Sequence, residues 1–346
     1  VIDFRYHIVS LISVFLALAV GIILGAGPLK ETIGDQLTGQ VEQLRTEKEE
    51  IRAQLTDETA KRTELEEYVS AASKRVAFDT LKDRRIAVLQ MGEVSDELYE
   101  SVEKQLQYAG ATVPARITIG DAWTDPEQAD ARQSYATSLA EYLPEDQRDL
   151  ASDKLLASAL ISALSEKSDT SADELSADAG LAMDVLQGAQ LVNLVKFDPI
   201  PVDAAVIIDN SNAGAETAAA EGAEAPDYGA ASALRLNIAE AAGRGTEGAV
   251  VASPRVVATD LISTIRGNST ALKIVATVSE VNEPVGALNT PLALSAAIGK
   301  KVGHFGFEPS ATALVPAAVT LPEPDRTVVA PPEGTTDNAN TTKKKD

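Results

Sequence analysis

Residues 8–26 run for nineteen positions without a charge, Ile-Val-Ser-Leu-Ile-Ser-Val-Phe-Leu-Ala-Leu-Ala-Val-Gly-Ile-Ile-Leu-Gly-Ala, and this run constrains the chain more than any other feature. As a helix it measures about 28 Å at 1.5 Å per residue, close to the hydrocarbon thickness of a bilayer. Ser10 and Ser13 are compatible with that setting, because a helical hydroxyl bonds back to a carbonyl one turn earlier. The expectation is a single-pass transmembrane helix over 8–27 that is not cleaved, the alternative being a signal peptide with an unusually long apolar region. Arg5 is the only basic residue outside the span on its N-terminal side, so residues 1–7 are expected as a short cytoplasmic head and the rest outside the cell membrane. Within the span Ala17, Gly21 and Gly25 repeat every four residues on one face. Such a face lets two helix backbones approach closely, although small residues are also common in membrane helices generally.

A heptad pattern follows over 31–78. With Val41 at position a, the a series is Val41, Lys48, Leu55, Arg62, Val69, Val76, and the d series is Leu37, Leu44, Ile51, Glu58, Leu65, Ala72. The apolar members form a coiled-coil seam, and forty residues of continuous helix would reach about 60 Å. Lys48, Glu58 and Arg62 interrupt it, as expected where register or choice of partner outweighs stability. The expected partners are a second copy of the chain or a different helix. A long amphipathic helix lying on the body is the alternative.

Beyond the heptads the pattern alternates between buried-strand runs and amphipathic helices. Residues 86–89 form an apolar run, and Ser95 caps a helix with Leu98, Val102 and Leu106 on one face, closed by Gly110. Strands are expected at 112–119, 204–208, 249–252 and 274–278, with helices at 233–242, 256–265 and 291–298. Five strands in this rhythm predict an α/β domain over 84–320 with a Rossmann-like, mostly parallel sheet. Residues 122–197 read as a helical insertion, with apolar positions at Leu155, Leu156, Leu160 and Leu164, then Leu181, Val185, Leu186 and Leu194. Residues 211–229 read as a loop, and 321–346, rich in Pro, Thr, Asn and Lys, as a disordered tail.

Chemistry is sparse in this body. The chain has no cysteine, which removes thiolate metal sites and cysteine nucleophiles, and its 346 residues carry a formal charge of −22, which argues against a nucleic-acid surface. The turn Gln90-Met91-Gly92-Glu93-Val94-Ser95 lacks the glycine fingerprint of a dinucleotide site and places an acid where a phosphate would sit. No cofactor is expected. C-terminal to the span His304 is the only histidine, in Gly303-His304-Phe305-Gly306, and no nucleophile elbow accompanies it. It is a weak metal candidate at best; its flanking glycines point to a turn with the ring packed or bonded to backbone. Copper(I) favours thiolate, thioether or imidazole ligands, and beyond the span only Met91, Met183 and His304 could supply them. The chain is therefore not expected to be an enzyme.

The opening Phe4-Arg5-Tyr6-His7-Ile8-Val9-Ser10-Leu11, the run Val14-Phe15-Leu16-Ala17-Leu18-Ala19-Val20-Gly21, Leu24-Gly25 and the later Gly303-His304-Phe305-Gly306 resemble the actinobacterial MctB family, most closely its corynebacterial branch. That resemblance implies two readings. The family label is copper transporter, and its mycobacterial members are described as envelope proteins that limit copper accumulation. Corynebacterial members are linked instead to a membrane partner, SteA, and to control of peptidoglycan hydrolysis at the division septum. The reading preferred from the residues is an envelope scaffold and regulator. Its seam, Leu37, Val41, Leu44, Lys48, Ile51, Leu55, Glu58, Arg62 and Leu65, would pair with a SteA-like, divisome-associated membrane protein or a second copy, with a peptidoglycan hydrolase as a further partner. Copper homeostasis stands second and a cell-wall enzyme a distant third.

Overall fold

The computed structural model describes residues 4–26, 28–214, 222 and 228–327. They divide into two compact units, residues 1–65 and 66–346.

The first unit is helical. Helix α1 spans Phe4–Ala26 and helix α2 spans Pro28–Ala77, continuing into the second unit. Proline at the first helical position suits α2, since its missing N–H would find no partner there in any case. Helix α1 is long and apolar enough to cross a membrane, starting four residues earlier than the uncharged run itself. Ser13 donates to the carbonyl of Val9 at 2.8 Å, so its hydroxyl is satisfied inside the helix. Thr46, Thr56, Thr59 and Thr63 make the same bond along α2.

The second unit is a three-layer α/β domain. Its seven strands are β1 (Arg85–Gly92), β2 (Thr112–Ile119), β3 (Val192–Phe197), β4 (Ala204–Asn210), β5 (Ala249–Ala252), β6 (Val275–Val278) and β7 (His304–Phe305). They lie in the order β3-β2-β1-β4-β5-β6-β7 and are all parallel except β3. The central strands are buried on both faces, which is why they read as unbroken apolar runs. Strand alternation then splits the core. Ala87, Leu89, Ala205 and Ile207 face one layer, and Ile86, Val88, Val206 and Ile208 face the other.

One layer contains α4 (Ala129–Leu139), α5 (Ser152–Ser165), α6 (Ala177–Gly188), α7 (Gly229–Gly245) and α8 (Leu261–Gly267). The other contains α3 (Asp96–Tyr108), α9 (Pro284–Ile298) and the last turn of α2. Ser95 caps α3 by accepting from the N–H of Leu98 at 3.2 Å.

Several expectations need correction. The sheet has seven strands and not five: β3, read as part of the helical insertion, is a largely exposed edge strand paired with β2, and β7 is only two residues long. Residues 122–197 are not a purely helical insertion: Leu194 lies in β3, the antiparallel edge strand, and Leu156 and Leu160 share the core with Ile207 of β4. This region covers one face of the sheet itself. Helix α8 starts at Leu261, not 256, because Asp260 caps it, accepting from Ser263 N at 2.7 Å and holding Val257 N at 2.8 Å in the turn before. Helix α9 starts at Pro284 and carries Pro291 in its interior, where tertiary packing of the buried Gly286, Ala287 and Thr290 overrides the local break. Residues 321–327, expected as part of a disordered tail, are held by the domain: Leu321 packs on the core, Arg84 donates to the carbonyl of Pro322 at 3.0 Å, and Arg326 donates to Asp203 at 3.1 Å. Most of the expected 211–229 loop, and residues 328–346, lie outside the described residues.

Candidate functional site

Three places bear on function: the two N-terminal helices, the surroundings of His304, and the carboxyl ends of β1 and β4.

On α1 a Cβ added at Gly21 or Gly25 would meet nothing, and Ala17 shares their exposed face. On α2 the apolar seam positions Leu37, Val41, Leu44, Ile51, Leu55 and Leu65 are 45–66% exposed. Lys48, Glu58 and Arg62 are exposed on the same helix. Lys61 bridges Asp57 at 2.6 Å and Glu58 at 3.3 Å, so the carboxylate of Glu58 is partly neutralised within its own helix. Further along, in the second unit, Val69 and Ala72 become half-buried and Ser73 and Ala77 buried. The stripe that seats α2 on the body therefore follows the 3.6-residue period of the helix and drifts off the 3.5-residue seam.

His304 sits at the start of β7 and is 6% exposed. Its Nε2 lies 3.1 Å from the carbonyl of Leu272, which only accepts, so this nitrogen carries the proton. Its Nδ1 then accepts from the Thr277 hydroxyl at 3.0 Å, and Thr277 in turn accepts from Nε of Arg266 at 3.0 Å. Arg266 is paired with Glu308, whose other oxygen accepts from Ser279 at 2.8 Å. Burial lowers the imidazole below its usual value, and the nearby Arg266 adds to this against the bond to Leu272. Both ring nitrogens are committed inside the fold. Strands β4, β5 and β6 separate His304 from Met91 on β1, four inter-strand steps or about 19 Å. Met183 is buried on α6, which packs against β3 at the opposite edge. The sulfurs and the imidazole do not converge on one ion. Among the described residues no cluster of three His, Asp or Glu could hold a metal.

The chain crosses from one side of the sheet to the other between β1 and β4, and ligands of open α/β sheets bind outside the strand ends at such a crossover. Here the two loops are locked together. Gly92 has φ +72°, and a Cβ on it would lie 2.7 Å from the backbone of Ser211. Asn210 donates to the carbonyl of Glu93 across the same gap. One residue earlier, Asp209 is 1% exposed; one oxygen accepts from the Ser211 hydroxyl and N–H, and Oδ2 has no hydrogen-bond partner among the described residues. Burial raises its carboxyl above the usual range, against the pull of Ser211 and Arg235. Nη1 of Arg235, on α7, is likewise without a hydrogen-bond partner. Neighbouring Asp260 is fully engaged by Asn212, Val257 and Ser263. Sequence reasoning weighed the turn after β1 and missed Asp209, although an Asp-Asn pair closing the apolar run 204–208 was a signal available to it.

An apolar N-terminal helix long enough to span a membrane, a long helix with an exposed apolar stripe, and a domain built on a mostly parallel seven-stranded sheet together define a class: an α/β protein with one N-terminal helix suited to membrane anchoring. Residues 1–316 match the family described as "Copper transport outer membrane protein, MctB", and the chain belongs to that family. It is 27% identical over 322 residues to the protein named Copper transporter MctB of Mycobacterium tuberculosis (strain H37Rv), covering 88% of this chain and 96% of that protein. A protein of the same name from Mycobacterium leprae is 26% identical over 137 residues, 40% of this chain and 43% of that one.

Proposed function

We propose that the chain is a membrane-anchored scaffold of the cell envelope, acting by binding and not by catalysis. In this reading α1 crosses the cell membrane with its head in the cytoplasm. Helix α2 pairs as a coiled coil with a membrane partner of the SteA-like kind or with a second copy, and the α/β domain controls peptidoglycan hydrolysis at the septum. One observation carries it: six large apolar side chains, Leu37 to Leu65, lie about half exposed or more along one seam. Burying each against a partner would contribute roughly 1.5–3 kcal/mol, and Lys48, Glu58 and Arg62 would then set which partner fits. A photo-reactive residue at Leu44 or Leu55 in intact cells tests this. Adducts with a division or wall-remodelling membrane protein support the heteromeric scaffold, and self-adducts support a homomeric coil. No adduct from either position overturns the intermolecular seam.

Membership in a family named for copper transport favours a second reading, a part in copper homeostasis. It does not rest on a site of Met91, Met183 and His304, whose separation is described above. Nor do the described strands form a barrel, since the sheet is open and both its faces are covered by helices. Copper titration of the full chain, with His304→Ala alongside, tests it: stoichiometric binding lost in the variant would restore His304 as a ligand.

A further inference from the structure

Strand β3 ends the sheet: β2 lies on one side of it and, among the described residues, no strand lies on the other. The opposite edge is different, since a bridge from Phe305 to Ala313 covers β7. An open edge offers backbone N–H and C=O groups to another chain, and proteins ordinarily blunt it, often with an outward lysine. Here the lysine is drawn back: Nζ of Lys196 donates to the carbonyl of Val113 on β2 at 2.6 Å, away from the edge. Val195 beside it is 49% exposed.

A bulge in β3 builds a pocket next to this edge. On a regular strand, residues three apart face opposite sides. The register with β2 pairs Arg116 with Lys196 and Ile117 with Leu194, so Val195 is an extra residue and the alternation changes sign there. Leu194 and Phe197 consequently turn to one face. With Leu175 they form the half-buried apolar part of a pocket of about 420 Å³ between β3 and α6. Gly180 of α6 also lines it, and a Cβ added there would meet nothing within 4 Å.

The pocket's charge is of one sign. Glu174 and Asp184 line it, both exposed, and no basic residue lines it with them. A strand added along β3 would take backbone hydrogen bonds from the edge, seat an apolar side chain in the pocket and bring its neighbours beside the two carboxylates. A second copy of the chain would bring the same acidic rim and a further formal charge of −22, which disfavours it. We propose that β3 and this pocket dock an extended segment of another protein, in which an apolar anchor is flanked by Lys or Arg. The proposal does not depend on the coiled-coil reading, since every residue it invokes belongs to the second unit.

The test selects phage-displayed random peptides on the full chain in lipid nanodiscs, with empty nanodiscs as the comparison. Enriched sequences should carry an apolar residue with Lys or Arg adjacent or next but one to it. A synthetic peptide of that sequence should slow amide hydrogen exchange across residues 192–197. Its affinity should fall about tenfold in Gly180→Leu and in the double variant Glu174→Lys, Asp184→Lys. All three positions are exposed, so both variants keep the fold, which circular dichroism checks. Absence of enrichment, enrichment of sequences without basic residues, binding that leaves 192–197 unprotected, or affinity unchanged in either variant would each overturn the proposal. So would self-association that protects 192–197 with no peptide present, which assigns the edge to a second copy.

Discussion

The Thr277 hydroxyl donates to Nδ1 of His304 at 3.0 Å while accepting from Arg266, so the ring is read as a neutral acceptor on one side and a donor to Leu272 on the other. Protonating Nδ1 would set its N–H against the Thr277 proton, with the Arg266 guanidinium behind it. Because the folded value is lowered from the usual 6.5, the native state binds a proton less readily than the unfolded chain. The stability this group contributes is present in full above 6.5 and is lost as pH falls from there through the lowered folded value. Thermal unfolding at pH 7.5 and 5.5 should show the wild type losing more than His304→Gln. The variant should itself cost about 1–3 kcal/mol at pH 7.5 from its broken bonds. Equal pH slopes in the two proteins would remove His304 from this role.

Asp209 is predicted to behave in the opposite sense. Burial raises its carboxyl, so the native state favours the protonated form; its contribution is present at low pH and is lost as pH rises through the raised folded value. Asp209→Asn keeps an acceptor for Ser211 and removes the buried charge. Its melting point should exceed that of the wild type at pH 7.5, and the gap should narrow toward pH 4. A variant less stable at pH 7.5 would mean that the ionised carboxylate, facing Arg235, is itself a net stabiliser.

The last described residues are structural, and shortening the chain should reveal it. Arg84, 2% exposed, is held by Glu247 at 2.8 Å and by the carbonyl of Pro322, and Arg326 shares Asp203 with the N–H of Arg85. Ending the chain at residue 320 removes two of these partners from buried charged groups. A loss of about 1–3 kcal/mol in chemical denaturation is expected. A chain ending at residue 327 is the reference that keeps these contacts, and if the two truncations are equally stable, the contacts contribute nothing measurable.

How much of this could be read in the sequence depended on where the stabilising contacts come from. Strands β1, β4 and β5 are continuous apolar runs because helices cover both faces, and Ser95 and Gly110 bracket α3 with their own chemistry, so all were legible locally. Strand β3, Val-Asn-Leu-Val-Lys-Phe, exists because β2 lies beside it across some seventy residues of chain; its pairing slips between Arg116 and Ile117, and no local pattern announces either fact. Strand β7 is two residues long and is defined by its register with Thr277 and Val278. The candidate sites divide in the same way. The seam on α2 is periodic and therefore visible, whereas the locked crossover at Gly92 and Ser211 and the buried Asp209 arise only when distant segments meet.

The charged interruptions of the seam give the last prediction. In a parallel pair of identical chains, Lys48, Glu58 and Arg62 would each face their own copy, which weakens self-pairing, while a different helix could offer opposite charges at these positions. Replacing all three with Leu would extend an apolar stripe from Leu37 to Leu65. If the seam is built for a different partner, Lys48→Leu, Glu58→Leu and Arg62→Leu together should raise self-association of the full chain in nanodiscs or detergent at least tenfold and reduce heterotypic crosslinking from Leu44. Analytical ultracentrifugation and the crosslinking yield read the two effects separately. Should self-association stay unchanged while partner capture persists, the three charges lie outside the contact and the seam has another register.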